Sequence, residues 1–420
     1  ASAAGAMVVG GLWLWLRGID ASSTAVILWG QPLALTAVNQ NLLLLLLAGL
    51  TILFALSTVF ASGDWFVPAG LLGFSFLAGS LLIRPFSIAI LLVLLAAGIL
   101  TLIVQAGKAG SVRGSLRYLL AHLLAVPLLL IVNSQIEQQS ISLLPISQLT
   151  ALAALLLLAG FPFHIWLQAV VDGTEPLPLT LVVGLAPLVP LMLLFQFIDA
   201  ISVNTLFTQL IWLSGGLTLL VAGVLAITAV HLKRLIGSVL LLDMAFTILC
   251  LTLPLRVGWE TAVSLQIGRF GSLLLLAGGW ELLKRQLANW PLDKFPIGLG
   301  RQSPMGLALL GLGLFSLIGL PLTLGFGGRW RLLTAVAELA NQGDIPLWLP
   351  AIGLFSLGLG AIAILRLLVT LLAAQPDDEA AVKSDPVWLQ AVVGFVLLAA
   401  TWLALFPQTF LSLVPLLQIF

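Results

Sequence analysis

Apolar runs of roughly twenty residues, separated by short polar or Gly/Pro-containing connections, recur from one end of this 420-residue chain to the other. A helix crossing the hydrocarbon core of a bilayer needs about 20 such residues, so the pattern predicts about thirteen spans. They lie near 4–16, 41–60, 66–83, 86–105, 115–132, 146–160, 177–196, 206–230, 234–253, 258–283, 304–325, 346–373 and 387–406. The first is short for a span. The apolar stretch after Pro407 is shorter still and is expected to lie along the interface or against the bundle.

Two runs are interrupted from within. The first passes into Gly160-Phe161-Pro162-Phe163-His164-Ile165-Trp166, where proline removes a backbone donor. The second, Gly319 to Trp330, contains Pro321 and the four glycines Gly319, Gly325, Gly327 and Gly328. Irregular backbone at membrane depth is tolerated where it is buried in protein or lines a wet cavity, and paired interruptions are a transporter pattern. The simpler alternative is an ordinary proline kink. The breaks stand roughly 165 residues apart, which fits two repeats, 66–196 and 206–373, of five spans each; an odd number inverts the second relative to the first. Residues 1–65 then form N-terminal helices, and 374–420 a C-terminal helix and tail. The expected fold is an all-α polytopic membrane bundle.

Composition sharpens this. With 61% hydrophobic and 8% charged residues and a mean hydropathy of +1.19, the chain is far from the roughly 25% charge of soluble domains. A water-soluble globular protein is excluded. The net charge of +1 offers no field for nucleic acid. Position matters more than sum: Lys108, Arg113, Arg117, Lys233, Arg234, Lys284, Arg285, Lys294, Arg301 and Lys383 gather on one face, against Arg17, Arg84 and Arg256 on the other. By the positive-inside rule the N-terminus is cytoplasmic or stromal, in a bacterial inner membrane or a thylakoid-type membrane. Tryptophans near span ends fit an aromatic belt. The lone Cys250 cannot form an intrachain disulfide. There is no phosphate loop after a strand, no carboxylate pair at catalytic spacing and no cysteine cluster for iron–sulfur. The chain is therefore expected to hold no catalytic centre, cofactor or metal of its own, with bound lipid the ligand left open. The expected partners are the bilayer and other membrane subunits.

The charged residues inside spans carry the candidate chemistry. Asp243 stands about ten residues beyond Lys233, roughly 15 Å along a helix and so near mid-membrane. Arg269 is mid-span in 258–283, and Arg329 sits at the second break. Ionisable groups at that depth are costly and are either functional or paired. Asp243 is expected to pair with a buried arginine, Arg329 first and Arg269 otherwise. His164, beside the first break, is a candidate for the ion pathway with Asp243, Arg269 and Arg329, or else for hydrogen-bonding freed backbone. His122 reads as a satisfied buried polar group, Lys233 and Arg234 as a boundary marker, and Arg366 as either a snorkelling or a second buried cation.

Phe161-Pro162-Phe163-His164-Ile165-Trp166-Leu167, followed by Glu175-Pro176-Leu177-Pro178-Leu179-Thr180, resembles the PFHxWLPDA and AP.PVS signature of the antiporter-like subunits of respiratory complex I, a family related to cation/proton antiporter subunits. Leu232-Lys233-Arg234-Leu235-Ile236-Gly237-Ser238 resembles its LKRLLAYSS segment. Gly319 to Trp330 resembles GIPLTAGFxGKW, nearest the N-type subunit. The resemblance implies two inverted five-helix bundles, each with a discontinuous helix. Family members usually have fourteen helices with both ends outside, so a missing first helix would account for the odd span count.

The resemblance also implies a chain of buried ionisable groups for proton movement, and here most of its members are replaced. The fifth-helix Glu, expected in Ile90–Ala96, is absent; the first-break Lys falls on Leu157; the next Lys falls at or beside Leu188. Leucine binds no proton, so the first bundle is expected to be dry at mid-membrane. Asp243 stands where the motif usually has His, and Arg329 matches the Lys of GFxGKW; arginine stays charged and carries protons poorly. Two readings follow: a membrane subunit of a quinone-linked NAD(P)H dehydrogenase-like complex with reduced or altered proton or cation translocation, or a degenerate structural or assembly subunit.

Overall fold

The computed structural model describes residues 1–19, 26–28, 31–60, 62–83, 86–105, 112–138, 145–201, 203–286, 299–373 and 387–406. Arg84, Lys108, Lys294 and Lys383, used above to orient the chain, lie outside the described residues, as does the stretch from Pro407 onward.

Every predicted apolar run folds as helix. Eight helical stretches are long and apolar enough to cross a membrane: α2 (Ala37–Leu56), α4 (Phe86–Gln105), α5 (Val112–Gln138), the composite Pro176–Ala200, α10 (Thr205–Thr228), Leu232–Thr252, Leu255–Arg285 and α16 (Trp348–Leu372). The composite comprises α8 (Pro176–Leu179), a π-helical segment (Thr180–Leu185) and α9 (Leu188–Ala200). Leu232–Thr252 is α11 (Leu232–Leu249) plus a 3-10 turn, and α12 covers Leu255–Gln286. The other five predicted spans are shorter: α1 (Ser2–Arg17), α3 (Phe66–Leu82), α6 (Ile146–Leu157), α14 (Pro304–Ile318) and, in α17 (Val387–Leu405), the stretch Gln390–Leu405. The chain is an integral membrane protein.

The two interrupted runs, expected to be broken helices, give short elements. α6 has only 12 residues and α14 only 15, because each is a half-helix that resumes beyond an irregular segment, as α7 (Ile165–Gly173) and α15 (Phe326–Gln342). The described residues are all-helical apart from one short hairpin. Between α1 and α2, β1 (Val26–Leu28) and β2 (Gln31–Leu33) form an antiparallel hairpin with Val26 opposite Leu33, and Leu33 bridges to Ile83 at the end of α3. Three-residue strands are too short for a period-two pattern to register in the sequence.

Local signals set several helix starts. Thr36, Asn204 and Ser303 precede α2, α10 and α14, and their side chains accept the N–H of Asn39, Phe207 and Gly306, satisfying donors that a helix start leaves free. α12 is the hub of the second half: it packs most extensively on α14 and also meets α15, α9 and the π-helical segment. Small residues make the α12–α14 approach possible. A Cβ at Gly279 would lie 2.4 Å from the Leu310 nitrogen, and one at Gly313 would lie 2.8 Å from the Leu276 nitrogen. The two backbones therefore touch directly, as small-residue stripes permit in membranes.

Candidate functional site

Three side chains from three elements of the second half converge at the second break. Asp243 comes from the middle of α11, Arg269 from the middle of α12, and Arg329 from the first turn of α15. They are 3%, 1% and 1% exposed. One Asp243 carboxylate oxygen accepts from Arg269 Nε and the other from Arg329 Nη2. The sequence reading offered the two arginines as alternatives; the fold engages both.

Neighbours complete the shell. Arg269 donates through Nη2 to the Thr247 hydroxyl and through Nη1 to Gln266 Oε1 at 2.6 Å. Arg329 lies over the Phe246 ring, 5.3 Å from its centroid, with Nη1 3.5 Å from the Ser316 carbonyl. One carboxylate against two guanidinia leaves a surplus positive charge. The C-terminal end of half-helix α14 presents its negative dipole end there, and the Phe246 ring face adds cation–π attraction. Gly319, at φ +74°, ends α14 in the left-handed region, and a Cβ on it would lie 2.5 Å from Arg329 Nη1. Glycine is required both for the turn and for the guanidinium's place.

The break itself runs from Gly319 to Gly325. Pro321 and Gly325 lie within it, but Gly327 and Gly328 are inside α15 and are corrected from breakers to first-turn helical residues. At Gly328 the missing side chain lets α15 approach α12, since a Cβ there would lie 3.0 Å from the Leu265 nitrogen. The Gly325 N–H is held by the Ser316 hydroxyl at 3.1 Å, which lies 2.6 Å from the Ser272 hydroxyl of α12.

The first break, residues 158–164, includes Pro162 after a cis peptide. The structure does not bring His164 to the ion cluster. It precedes α7 and stacks on Phe161, with ring centroids 5.8 Å apart. Its expected hydrogen bond to freed backbone is corrected: Nδ1 is buried with no partner among the described residues. The backbone is satisfied from α10 instead, where Thr218 Oγ1 accepts the Phe161 N–H at 2.8 Å and Ser214 donates to the Phe161 carbonyl at 2.5 Å. Arg366 is exposed and donates to the Ala229 carbonyl, so of its two readings the buried cation is excluded.

Sequence reasoning missed several polar partners. Thr247 and Gln266 stand four residues after Asp243 and three before Arg269, spacings that place them on the same helix faces. Gln266 also reaches into the first half, donating to the Gly184 carbonyl of the π-helical segment at 2.6 Å. Glu260 was overlooked: 7% exposed, it accepts from Arg331 and, at 3.0 Å, from Arg256. Its signal was the Arg256–Glu260 helical pair. At the other end of the bundle, Lys233 donates to the Asp172 carbonyl at 3.0 Å and Lys284 lies 3.4 Å from Glu175, bringing several of the basic connections together.

Residues 94–342 match the model of the NADH:quinone oxidoreductase/Mrp antiporter transmembrane family, and the chain belongs to that family. Among curated relatives, it is 26% identical over 254 residues to NADH-quinone oxidoreductase subunit N 1 of Solibacter usitatus, covering 58% of this chain and 49% of that protein. It is 29% identical over 272 residues to subunit N of Thiobacillus denitrificans, covering 61% and 52%. The chain thus spans about half the length of these relatives. Its fold is similar to a chain of the archaeal membrane-bound sulfane sulfur reductase, with a TM-score of 0.78 at 14% identity over 98% of this chain and 89% of that one. It is also similar to a chain of the respiratory complex I of Thermus thermophilus, with a TM-score of 0.69 at 20% identity over 97% and 92%. The structural neighbours are subunits of multisubunit membrane complexes.

Proposed function

We propose that this chain serves as an N-type antiporter-like membrane subunit of a quinone-linked, complex I-like assembly, contributing to proton or cation translocation through its second half in a reduced or altered form. The observation that carries this reading is the buried Asp243 carboxylate clamped between Arg269 and Arg329 at the discontinuous helix. A guanidinium carries protons poorly, which leaves the Asp243 carboxylate as the candidate carrier of the three, and it is held by both arginines. The cluster therefore acts as a gate whose opening costs a buried ion pair.

The two breaks, one in 66–196 and one in 206–373, support reading those segments as inverted repeats. The apolar residues at Leu157 and Leu188 favour the second reading, a structural subunit, for the first half. Vesicles holding the intact complex separate the two. On the gating reading, those complexes that do assemble with Asp243→Asn or Arg329→Lys build a different pH gradient per quinone turnover. Unchanged flux, together with fewer assembled complexes, would establish the structural reading instead.

A further inference from the structure

A small cavity in the first half borders Leu157 and the stretch Ile90–Ala96, where the resemblance implies charged residues. It measures about 20 Å³ and is lined by Val93 and Ala96 of α4, Leu157 at the end of α6, and Pro187 beside Leu188. The remaining wall includes Tyr118 and His122 of α5, whose rings stand 4.3 Å apart. The third aromatic there, Trp166, has its indole N–H engaged by the Leu156 carbonyl at 3.0 Å. Among the described residues, Tyr118 and His122 are the lining side chains that keep polar atoms without a protein partner.

Hydrogen-bond chemistry fixes the roles of those atoms. His122 Nδ1 lies 2.9 Å from the Tyr118 carbonyl of its own helix. A carbonyl only accepts, so Nδ1 carries the proton and Nε2 of the neutral ring is left as an acceptor. The Tyr118 hydroxyl can both donate and accept. Buried polar atoms are costly when unmatched, and a cavity of roughly 10–15 Å³ suffices for one water if polar partners line it. We propose that this cavity is a binding site for a single water molecule, which donates to His122 Nε2 and exchanges a hydrogen bond with the Tyr118 hydroxyl. The first bundle then holds one isolated hydrated point where its relatives' charge chain would run. That point is a dead end for relay, because the other ring nitrogen is committed to the backbone. The inference stands independently of whether the second half translocates ions.

The test is solid-state NMR on the full chain in lipid bilayers with 15N-labelled histidine. The three histidines are assigned with His122→Gln. The expected result is an Nδ1-protonated, neutral His122 with a magnetisation-transfer peak from water to Nε2. Ala96→Leu, which fills the cavity, should abolish that peak and leave the tautomer unchanged. Tyr118→Phe, which keeps the shape and removes one partner, should weaken it. A His122 ring with no water contact in the unmodified chain, protonated at Nε2, or doubly protonated, would overturn the proposal.

Discussion

Asp243 illustrates what a single residue's depth can reveal. Its place ten residues into a helix was enough to expect a buried partner, and the pairing geometry agrees with that reasoning. The number of partners was not legible, because whether two arginines from different helices reach one carboxylate depends on how α12 and α15 pack. Removing one member of such a cluster strands buried charge. Asp243→Asn is expected to lower the unfolding free energy by about 3–5 kcal/mol, and adding Arg329→Gln should recover part of that loss. Equilibrium unfolding of the four variants of this cycle in one detergent system measures both quantities. His164 shows the converse: a polar residue beside a break invited a capping role that hydroxyls on a neighbouring helix perform instead.

Among the elements, the existence of the helices was legible throughout, since twenty-residue apolar runs admit few other structures in a membrane. Their interruptions were legible as places but not as extents. Glycines 327 and 328 read as breakers because sequence does not say which side of a helix start they occupy. The π-helical segment Thr180–Leu185 left no separable mark, its neighbours Pro187 and Pro190 being equally compatible with a simple kink. The first break is held by α10 through Ser214 and Thr218, and the second by Ser316 within α14. Each buried backbone group left unmatched costs about 1–3 kcal/mol. Ser214→Ala combined with Thr218→Val should accordingly speed hydrogen exchange across residues 158–164 and leave 319–325 unchanged, as mass spectrometry of exchanged peptides would report.

For the whole molecule, the basic connections predict a sidedness that the contacts among Lys233, Asp172, Lys284 and Glu175 make specific to one end of the bundle. Cysteines placed at Asp172 and Lys284 should react with a membrane-impermeant maleimide from the cytoplasmic or stromal side, and one at Asp199 from the opposite side. Labelling of the first two from the outer face would reverse the orientation. The backbone contact between α12 and α14 bears on how any gate in this molecule could move. With Gly279 and Gly313 pressed against the opposite main chain, sliding or rotating α14 on α12 would drive backbone into backbone. The pair behaves as a single rigid post carrying Arg269. The other arm of the second break is held to the same post, because a Cβ on Gly328 would lie 3.0 Å from the Leu265 nitrogen and Arg331 is bound to Glu260, so any withdrawal of Arg329 from Asp243 has to carry the start of α15 across the face of α12.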